Sequence, residues 1–245
     1  MRLSWYPATL VERRAETPTV ATLVLRVPGW PGHLPGQHVD VRLTAEDGYS
    51  TQRSYSLAAP DHGAVLEITV QALGDGEVSP FLVEGLVVGD PVELRGPVGG
   101  WFVWSPVSVA GLVDRVLLVA GGSGVVPLMA MVRARHEAGS TVPMRLVYSV
   151  RTPADVIYAD ELDRLAKEDD GLEVLLVHTR EAPPGSGRPA GRLSADELAT
   201  LAWPPADDVR AYVCGPTAFV DAAAAGLVRA GYHDAAIRTE RFGGE

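Results

Sequence analysis

Four consecutive residues in the first half of the chain suit a flat, phosphorylated ligand. Arg53-Ser54-Tyr55-Ser56 places a guanidinium group, a phenol ring and two hydroxyls side by side. Guanidinium groups bind phosphate oxygens through paired hydrogen bonds, and an aromatic ring offers a flat apolar face. On composition alone, however, an exposed edge strand is the better interpretation, so the chemistry of this segment depends on the rest of the chain.

A glycine-rich turn in the second half, Gly121-Gly122-Ser123-Gly124, has the composition of a phosphate-binding loop. It lies between the apolar run 116–120 and a helical stretch. Glycines at this place let a phosphate approach the backbone at the positive end of a helix. The third glycine of the dinucleotide fingerprint is missing, because Val125-Val126-Pro127 follows. A tight turn without a ligand is therefore the alternative.

A second turn, Cys214-Gly215-Pro216, follows a later strand and precedes an alanine-rich helix. In a doubly wound sheet of order 3-2-1-4-5, strands one and four are neighbours at the switch point. Both glycine turns would then face one crevice at the carboxyl ends of the strands. Cys214 would lie in this crevice, although a free cysteine is more often a small buried apolar residue.

The ends of the second and third strands of this half bear on the choice of nucleotide. Ser149-Val150-Arg151 stands where a typical NAD site has an acidic residue, and Thr179-Arg180 ends the next strand, with Arg188 farther along. Guanidinium groups suit the 2′-phosphate of NADPH. The pattern favours NADPH, but NADH stays possible because arginines at strand ends are often merely solvated.

The elements that carry these residues follow two different patterns. Up to about residue 105 the chain reads as short β-strands separated by Gly and Pro, typical of a small sandwich or barrel, with one short helix near 79–84. After residue 115 strands and helices alternate, which indicates a doubly wound α/β fold with a parallel sheet. We therefore predict two domains, 1–105 and 115–245, joined by a linker at 105–114. The predicted strands are 21–27, 37–43, 65–70, 116–120, 144–150, 172–179, 209–213 and 235–242. The predicted helices of the second half are 125–138, 158–167, one that begins at Ser194, and 216–230.

Charge and cysteine content exclude several classes of protein. The net charge is −10 over 245 residues, which disfavours binding to nucleic acid and to anionic membranes. Cys214 is the only cysteine, so these residues can form neither an internal disulfide nor a cysteine-ligated iron–sulfur cluster. We expect no metal. Residues 1–10 read as a strand rather than a signal peptide, and the expected location is the cytoplasm.

The order and spacing of Arg53-Ser54-Tyr55-Ser56, the turn at 121–127 and Cys214-Gly215-Pro216 resemble the ferredoxin–NADP reductase family over nearly the whole chain. The segments 148–153 and 239–243 are similar to those of oxygenase reductase components. This resemblance implies an N-terminal antiparallel six-stranded β-barrel that binds flavin. It also implies a C-terminal doubly wound five-stranded parallel sheet that binds NAD(P)H.

The resemblance also implies roles for individual residues. Arg53 would bind the flavin phosphate with Ser54 beside it, Tyr55 would lie against the flavin, and Ser56 would hydrogen-bond near flavin N5. A second flavin segment would comprise Gly76, Val78 and Ser79. The nicotinamide nucleotide would meet Gly121, Gly122, Ser123, Gly124, Ser149, Arg151, Thr179, Arg180, Gly215 and Pro216. Cys214 would border the nicotinamide, and Glu240 and Phe242 would lie near the flavin edge. Ser56, Cys214 and Glu240 form the implied catalytic set.

The expected activity is hydride transfer from NADPH to FAD, with FMN possible, followed by transfer of single electrons to a separate protein. This acceptor would be a ferredoxin or an oxygenase component. Docking to an acidic ferredoxin would be easier if Arg13, Arg14 and Arg26 gathered on one face. The alternatives are a reductase of free flavin or ferric chelates without a protein partner, and a catalytically silent NAD(P)-sensing subunit.

Overall fold

The structure of the protein is a computed structural model that describes residues 4–44, 47–74, 76–106, 115–168 and 170–242. The chain divides into two compact units. The first comprises residues 1–105 and 129–134, and the second comprises residues 106–128 and 135–245. The proposed linker at 105–114 lies mostly outside the described residues, so the domain limits 1–105 and 115–245 stay a prediction.

The first unit is built on an antiparallel sheet of six strands, as the family resemblance implies. Its strands are β1 (Trp5–Thr17), β2 (Val20–Arg26), β3 (His38–Thr44), β4 (Ser50–Ser56), β5 (Val65–Gln71) and β6 (Pro91–Val98). They are ordered β4-β3-β6-β1-β2-β5, so β4 and β5 are the two end strands. A bridge between Leu57 and Ile68 joins the end of β4 to β5, which brings the two edges of the sheet together.

The core of this unit consists of apolar residues at alternate positions of the strands, because successive side chains of a strand point to opposite faces. Leu23, Leu25, Val39, Val41 and Leu94 belong to one buried cluster. The short helix predicted at 79–84 consists of an α-helical turn, α1 (Val78–Pro80), followed by a π-helical turn, Phe81–Gly85. Its first turn lies close to both β4 and β5.

The second unit has a parallel sheet of five strands. The strands are β7 (Arg115–Gly121), β8 (Met144–Val150), β9 (Leu172–His178), β10 (Val209–Pro216) and β11 (Ile237–Phe242). Their helices are α2 (Val125–Glu137), α3 (Ala159–Leu165), α4 (Ala195–Leu201) and α5 (Thr217–Arg229). The order β11-β10-β7-β8-β9 confirms the predicted doubly wound topology. Residues 116–121 of β7 are all buried, so both faces of the central strand are covered. No helix of the described residues is long and apolar enough to cross a membrane.

Helix α4 begins at the capping residue expected from the sequence. The Ser194 hydroxyl accepts a hydrogen bond of 3.1 Å from the backbone N–H of Glu197. The Glu197 carboxylate does not complete a capping box but accepts hydrogen bonds from Arg188, one of them 2.9 Å long. Only the serine hydrogen bond of the capping box forms, because the Glu197 carboxylate is bound to the Arg188 guanidinium group instead.

A buried histidine in the first unit stabilises the segment between β2 and β3. His33 Nδ1 accepts a hydrogen bond of 3.1 Å from the Trp30 indole, and Nε2 lies 3.0 Å from the Ala59 carbonyl oxygen. This pairing requires the neutral ring with its proton on Nε2, because Nδ1 already accepts. Burial lowers the pKa of His33, and the Ala59 carbonyl and the Asp61 carboxylate offset this only in part.

The lowered pKa of His33 predicts how stability depends on pH. The unfolded chain takes up a proton on this residue near pH 6.5, while the folded chain stays neutral to lower pH. The neutral His33 ring therefore makes its full contribution to the free energy of unfolding above about pH 6.5. This contribution is lost as the pH falls below that value. We expect the free energy of unfolding in urea to fall more between pH 7 and pH 5 in the native protein than in His33→Gln. His233→Gln, which changes an exposed histidine, should retain the native dependence. The same pH dependence in His33→Gln and in the native protein would contradict this assignment.

Candidate functional site

The Arg-Ser-Tyr-Ser segment forms the second half of the edge strand β4. The strand pairs with β3 without a break, from Thr44 opposite Ser50 to His38 opposite Ser56. Arg53 is exposed, Tyr55 is half-buried against the core, and Ser56 is buried. Burial raises the pKa of Tyr55 to about 12, although the Arg53 charge opposes this rise. Its phenol is therefore neutral at physiological pH and offers an uncharged ring beside a cation.

Ser54 lies on the opposite face of β4 from Arg53 and Tyr55, because side chains alternate along a strand. Its hydroxyl donates a hydrogen bond of 2.6 Å to Asp40 on β3. Burial would raise the pKa of Asp40, but hydrogen bonds from Ser54 and Arg95 lower it below the ordinary value. The side chain of Ser54 therefore contacts another protein group and does not share the face of Arg53.

The second candidate flavin segment lies at the start of the short helix. Gly76 and Glu77 are exposed, and Val78 and Ser79 are buried. The Ser79 hydroxyl accepts a hydrogen bond of 3.1 Å from the Leu73 N–H. No side chain caps the first turn of the helix. The backbone N–H groups of such a first turn suit a phosphate.

The two glycine turns of the second unit meet, as the strand order predicts. β7 and β10 are paired up to Ala120 opposite Cys214. A Cβ on Gly124 would lie 2.1 Å from the Cys214 carbonyl oxygen, and one on Gly215 would lie 3.0 Å from the Gly121 carbonyl oxygen. Only glycine permits this approach of two backbones.

The outer side of the same turn is open. Gly122 has a φ of +55°, and a Cβ there would have no neighbour within 4 Å. Gly122, Ser123 and Gly124 form a 3₁₀ turn that leads into α2, and no side chain caps this turn. A helix start of this kind presents backbone N–H groups, and the open space allows a phosphate to reach them.

Cys214 lies at the end of β10 and is completely buried. Burial raises the pKa of its thiol well above the ordinary value, and the charge of Glu240, opposite it on β11, raises it further. Cys214 is therefore a neutral thiol and not a nucleophilic thiolate. On the same strand pair, the exposed Pro216 lies opposite the partly buried Phe242.

Two arginines stand side by side at the ends of β8 and β9. The Arg180 N–H donates a hydrogen bond of 2.9 Å to the Arg151 carbonyl oxygen, and Thr179 donates in the same way to Val150. Both arginine side chains are exposed, whereas Ser149 is buried. In the described part of the chain, no carboxylate forms an ion pair with either guanidinium group. Arg188, in contrast, is bound to Glu197 and to three backbone carbonyls.

Two of the three arginines considered for a docking face are bound within the first unit. Arg13 donates a hydrogen bond of 2.8 Å to the Val83 carbonyl, and Arg14 forms ion pairs with Glu67 and Glu12. As successive residues of β1, Arg13 and Arg14 point to opposite faces of the sheet. A common basic patch with Arg26 therefore does not form from these residues.

Three residues near these sites were not predicted from the sequence. Phe219 on α5 lies against both glycine turns. Its ring is the nearest group to a Cβ built on Gly121 and lies 3.0 Å from a Cβ built on Gly215. Asp40 and Arg95 form the support behind Ser54. The position of Phe219, three residues after Pro216, was the available sequence signal for its role. Asp40 and Arg95 depend on strand register and have no local sequence signal.

The groups present fit the two cofactors that the family resemblance implies. An exposed guanidinium, a neutral phenol and an uncapped helix start suit the phosphates and ring of a flavin nucleotide. The open glycine turn before α2 suits the pyrophosphate of a nicotinamide nucleotide.

Comparison with known proteins agrees with this geometry. The oxidoreductase FAD-binding domain family matches residues 7–103, and the oxidoreductase NAD-binding domain family matches residues 118–225. The chain therefore belongs to the ferredoxin reductase-like family of flavoenzymes, whose cofactors are FAD and NAD(P)H.

Individual relatives to which the chain is similar are named as reductases. It is 32% identical over 211 residues to the glycine betaine monooxygenase reductase subunit of Chromohalobacter salexigens, covering 85% of this chain and 56% of the relative. It is 30% identical to NADH-cytochrome b5 reductase 1 of Aspergillus terreus, covering 76% of this chain and 64% of the relative. The chain thus spans less than two thirds of both relatives. The flavohem-like FAD/NAD-binding domain of nitric oxide dioxygenase from Vibrio cholerae O1 biovar El Tor has a TM-score of 0.84 at 25% identity, covering 98% of this chain and 99% of that one.

The contact between the two glycine turns predicts a strong effect of one methyl group. Gly124→Ala should lower the free energy of unfolding by about 3 kcal/mol, because its Cβ would overlap the Cys214 carbonyl and force β7 and β10 apart. Gly187→Ala is the matched control, since its Cβ has open space and its backbone is not left-handed. Urea unfolding of both variants measures the effect. Equal stability of the two variants would show that the turns do not approach so closely.

Proposed function

We propose that the protein transfers a hydride from NADPH to bound FAD and then passes electrons to a separate acceptor protein. The observation that carries this proposal is the open, uncapped glycine turn before α2, which occurs in the same chain as the Arg53 and Tyr55 pair. Bound FAD supplies the redox chemistry, since it accepts hydride and releases electrons singly. The protein supplies binding, orientation and charge.

Each proposed binding residue has a physical task. Arg53 would neutralise a flavin phosphate, and the N–H groups at Val78 and Ser79 would donate to the phosphates. Tyr55 would present a neutral ring to the flavin, and the Ser56 hydroxyl would donate a hydrogen bond near flavin N5. All of these groups are neutral or cationic, so they favour an anionic cofactor. None of them is a carboxylate that would repel its phosphates.

On the nucleotide side, the 121–124 turn would hold the pyrophosphate. Ser149, Arg151, Thr179 and Arg180 would hold the phosphorylated ribose, with the two guanidinium groups on the 2′-phosphate. Gly215 and Pro216 would border the nicotinamide, with the buried neutral thiol of Cys214 directly behind them. Burial, and after it the charge of Glu240, would keep Cys214 protonated, and Phe242 would lie near the flavin edge.

The acceptor is proposed to be a protein such as a ferredoxin or an oxygenase component. Cys214 is the only cysteine, so an iron–sulfur cluster cannot be ligated by these 245 residues alone. The relative in Chromohalobacter salexigens is named as a monooxygenase reductase subunit, which supports an oxygenase component as the partner. Anaerobic stopped-flow reduction by NADPH, followed by mixing with a ferredoxin or with ferricyanide, tests both steps. A purified protein that stays colourless after addition of FAD would refute the proposal.

The role of Arg53 predicts a loss of flavin affinity. Arg53→Gln should raise the FAD dissociation constant at least about tenfold, because charge-assisted hydrogen bonds to a phosphate are lost. Arg26→Gln, which changes an exposed arginine of β2, should bind FAD like the native protein. Fluorescence quenching of FAD measures both constants. An unchanged constant in Arg53→Gln would remove this residue from the flavin site.

The paired arginines predict the preference for NADPH. Arg151→Ala and Arg180→Ala should each lower the ratio of kcat/KM for NADPH to that for NADH about tenfold, mainly through KM for NADPH. Arg229→Ala, an exposed change on α5, should leave the ratio as it is. If the native protein uses NADH at least as well as NADPH, the assignment of these arginines is wrong.

A further inference from the structure

A row of side chains crosses the first sheet on the face opposite its core. Ser54 on β4 lies opposite Asp40 on β3, Asp40 lies opposite Arg95 on β6, and Arg95 lies opposite Trp5 on β1. We call these four residues the cross-strand row. All four are direct partners in the strand register, so their side chains share one face.

The contacts in the cross-strand row are continuous. Ser54 donates to Asp40 Oδ1 at 2.6 Å, and Arg95 donates to Asp40 Oδ2 from Nη2 at 2.7 Å and from Nε at 3.1 Å. The Arg95 guanidinium carbon lies 5.1 Å from the centre of the Trp5 ring, within the range of a cation–π contact. Asp40 is only 9% exposed, and both of its oxygens are engaged.

The other face of the same strands carries the proposed flavin residues. Tyr55 lies opposite Val39, and Arg53 lies opposite Val41, both of which are core residues. A shift of β4 would therefore move Arg53 and Tyr55 together. β4 is an end strand: among the described residues it pairs along its length with β3, and an isolated bridge at Leu57 joins its end to β5.

From this geometry we infer that Asp40 is a positioning residue for the flavin motif, acting through the Ser54 hydroxyl. It holds β4 in place from the face that the cofactor does not touch, and Arg95 holds Asp40. Ser54 then belongs to the support and not to the cofactor contacts. The inference rests on the proposed roles of Arg53 and Tyr55.

The same strands contain a matched pair that lacks this link. Arg42 and Glu93 lie opposite each other on β3 and β6 and form two hydrogen bonds of 2.8 and 2.6 Å. Arg42 also lies over Trp5, at 4.0 Å. This pair resembles Asp40 and Arg95 in strand position and chemistry but does not contact Ser54. Glu93→Gln is therefore the control for a general loss of sheet stability.

The test is a double-mutant cycle on FAD affinity, measured by calorimetry on folded apoprotein, with the visible circular dichroism of the bound flavin as a second readout. Ser54→Ala and Asp40→Ala should each weaken FAD binding about tenfold and change the dichroism. In the Asp40→Ala background, Ser54→Ala should add less than about twofold. Ser54→Thr, which keeps the hydroxyl, and Glu93→Gln should bind FAD like the native protein.

Two results would overturn the inference. Equal losses from Ser54→Ala with and without Asp40 would mean that Ser54 contacts the cofactor directly. Native FAD affinity and dichroism in Ser54→Ala and Asp40→Ala would mean that the row only stabilises the fold. If Asp40→Ala does not fold, Arg95→Met replaces it, because it removes the other support of Asp40. Native FAD affinity in Arg53→Gln would instead count against the proposed function itself.

Discussion

The approach of the β7 turn to the end of β10 is the constraint on which the second unit depends. Strand order makes β7 and β10 neighbours, and the glycines at 121, 124 and 215 let the two backbones approach at the point where both strands end. The glycines thus have two tasks. Gly124 and Gly215 allow the β7 turn and the end of β10 to pack against each other. Gly122 leaves space on the other side of the turn, where the proposed ligand would lie. Phe219 packs against the glycines at 121 and 215, where side chains are missing, while the space beside Gly122 is open.

The first unit differs from the second in that its proposed binding residues lie on an end strand. End strands have one full partner and are easier to displace than central ones. The cross-strand row adds side-chain contacts to the backbone pairing of β4, from Ser54 to Trp5. One face of β4 then carries Arg53 and Tyr55, and the opposite face carries Ser54 and its contact with Asp40.

The topology was predictable because it depends on local signals. The continuous apolar run of β7, the glycine turns and the alternation of strands and helices are all visible in the sequence, and the strand order confirms them. The side-chain partners were not predictable in the same way. Asp40 meets Ser54 only because β3 and β4 pair in one register, and a shift of one residue would place them on opposite faces. The proposed binding roles follow from the family resemblance and stay predictions, because no local sequence signal fixes which groups meet a cofactor.

The arginines of the proposed sites differ from several others in the chain by lacking a carboxylate partner. In an acidic chain, an arginine near a carboxylate is readily neutralised, and Arg14, Arg42, Arg95 and Arg188 are all paired in this way. Among the described residues, Arg53, Arg151 and Arg180 have no carboxylate within ion-pairing distance. They also stand at the two places where the backbone and the glycines suit phosphate. A cation that stays unpaired among 31 acidic residues is available to an anionic ligand, and this connects the net charge of −10 to the selection of phosphorylated cofactors.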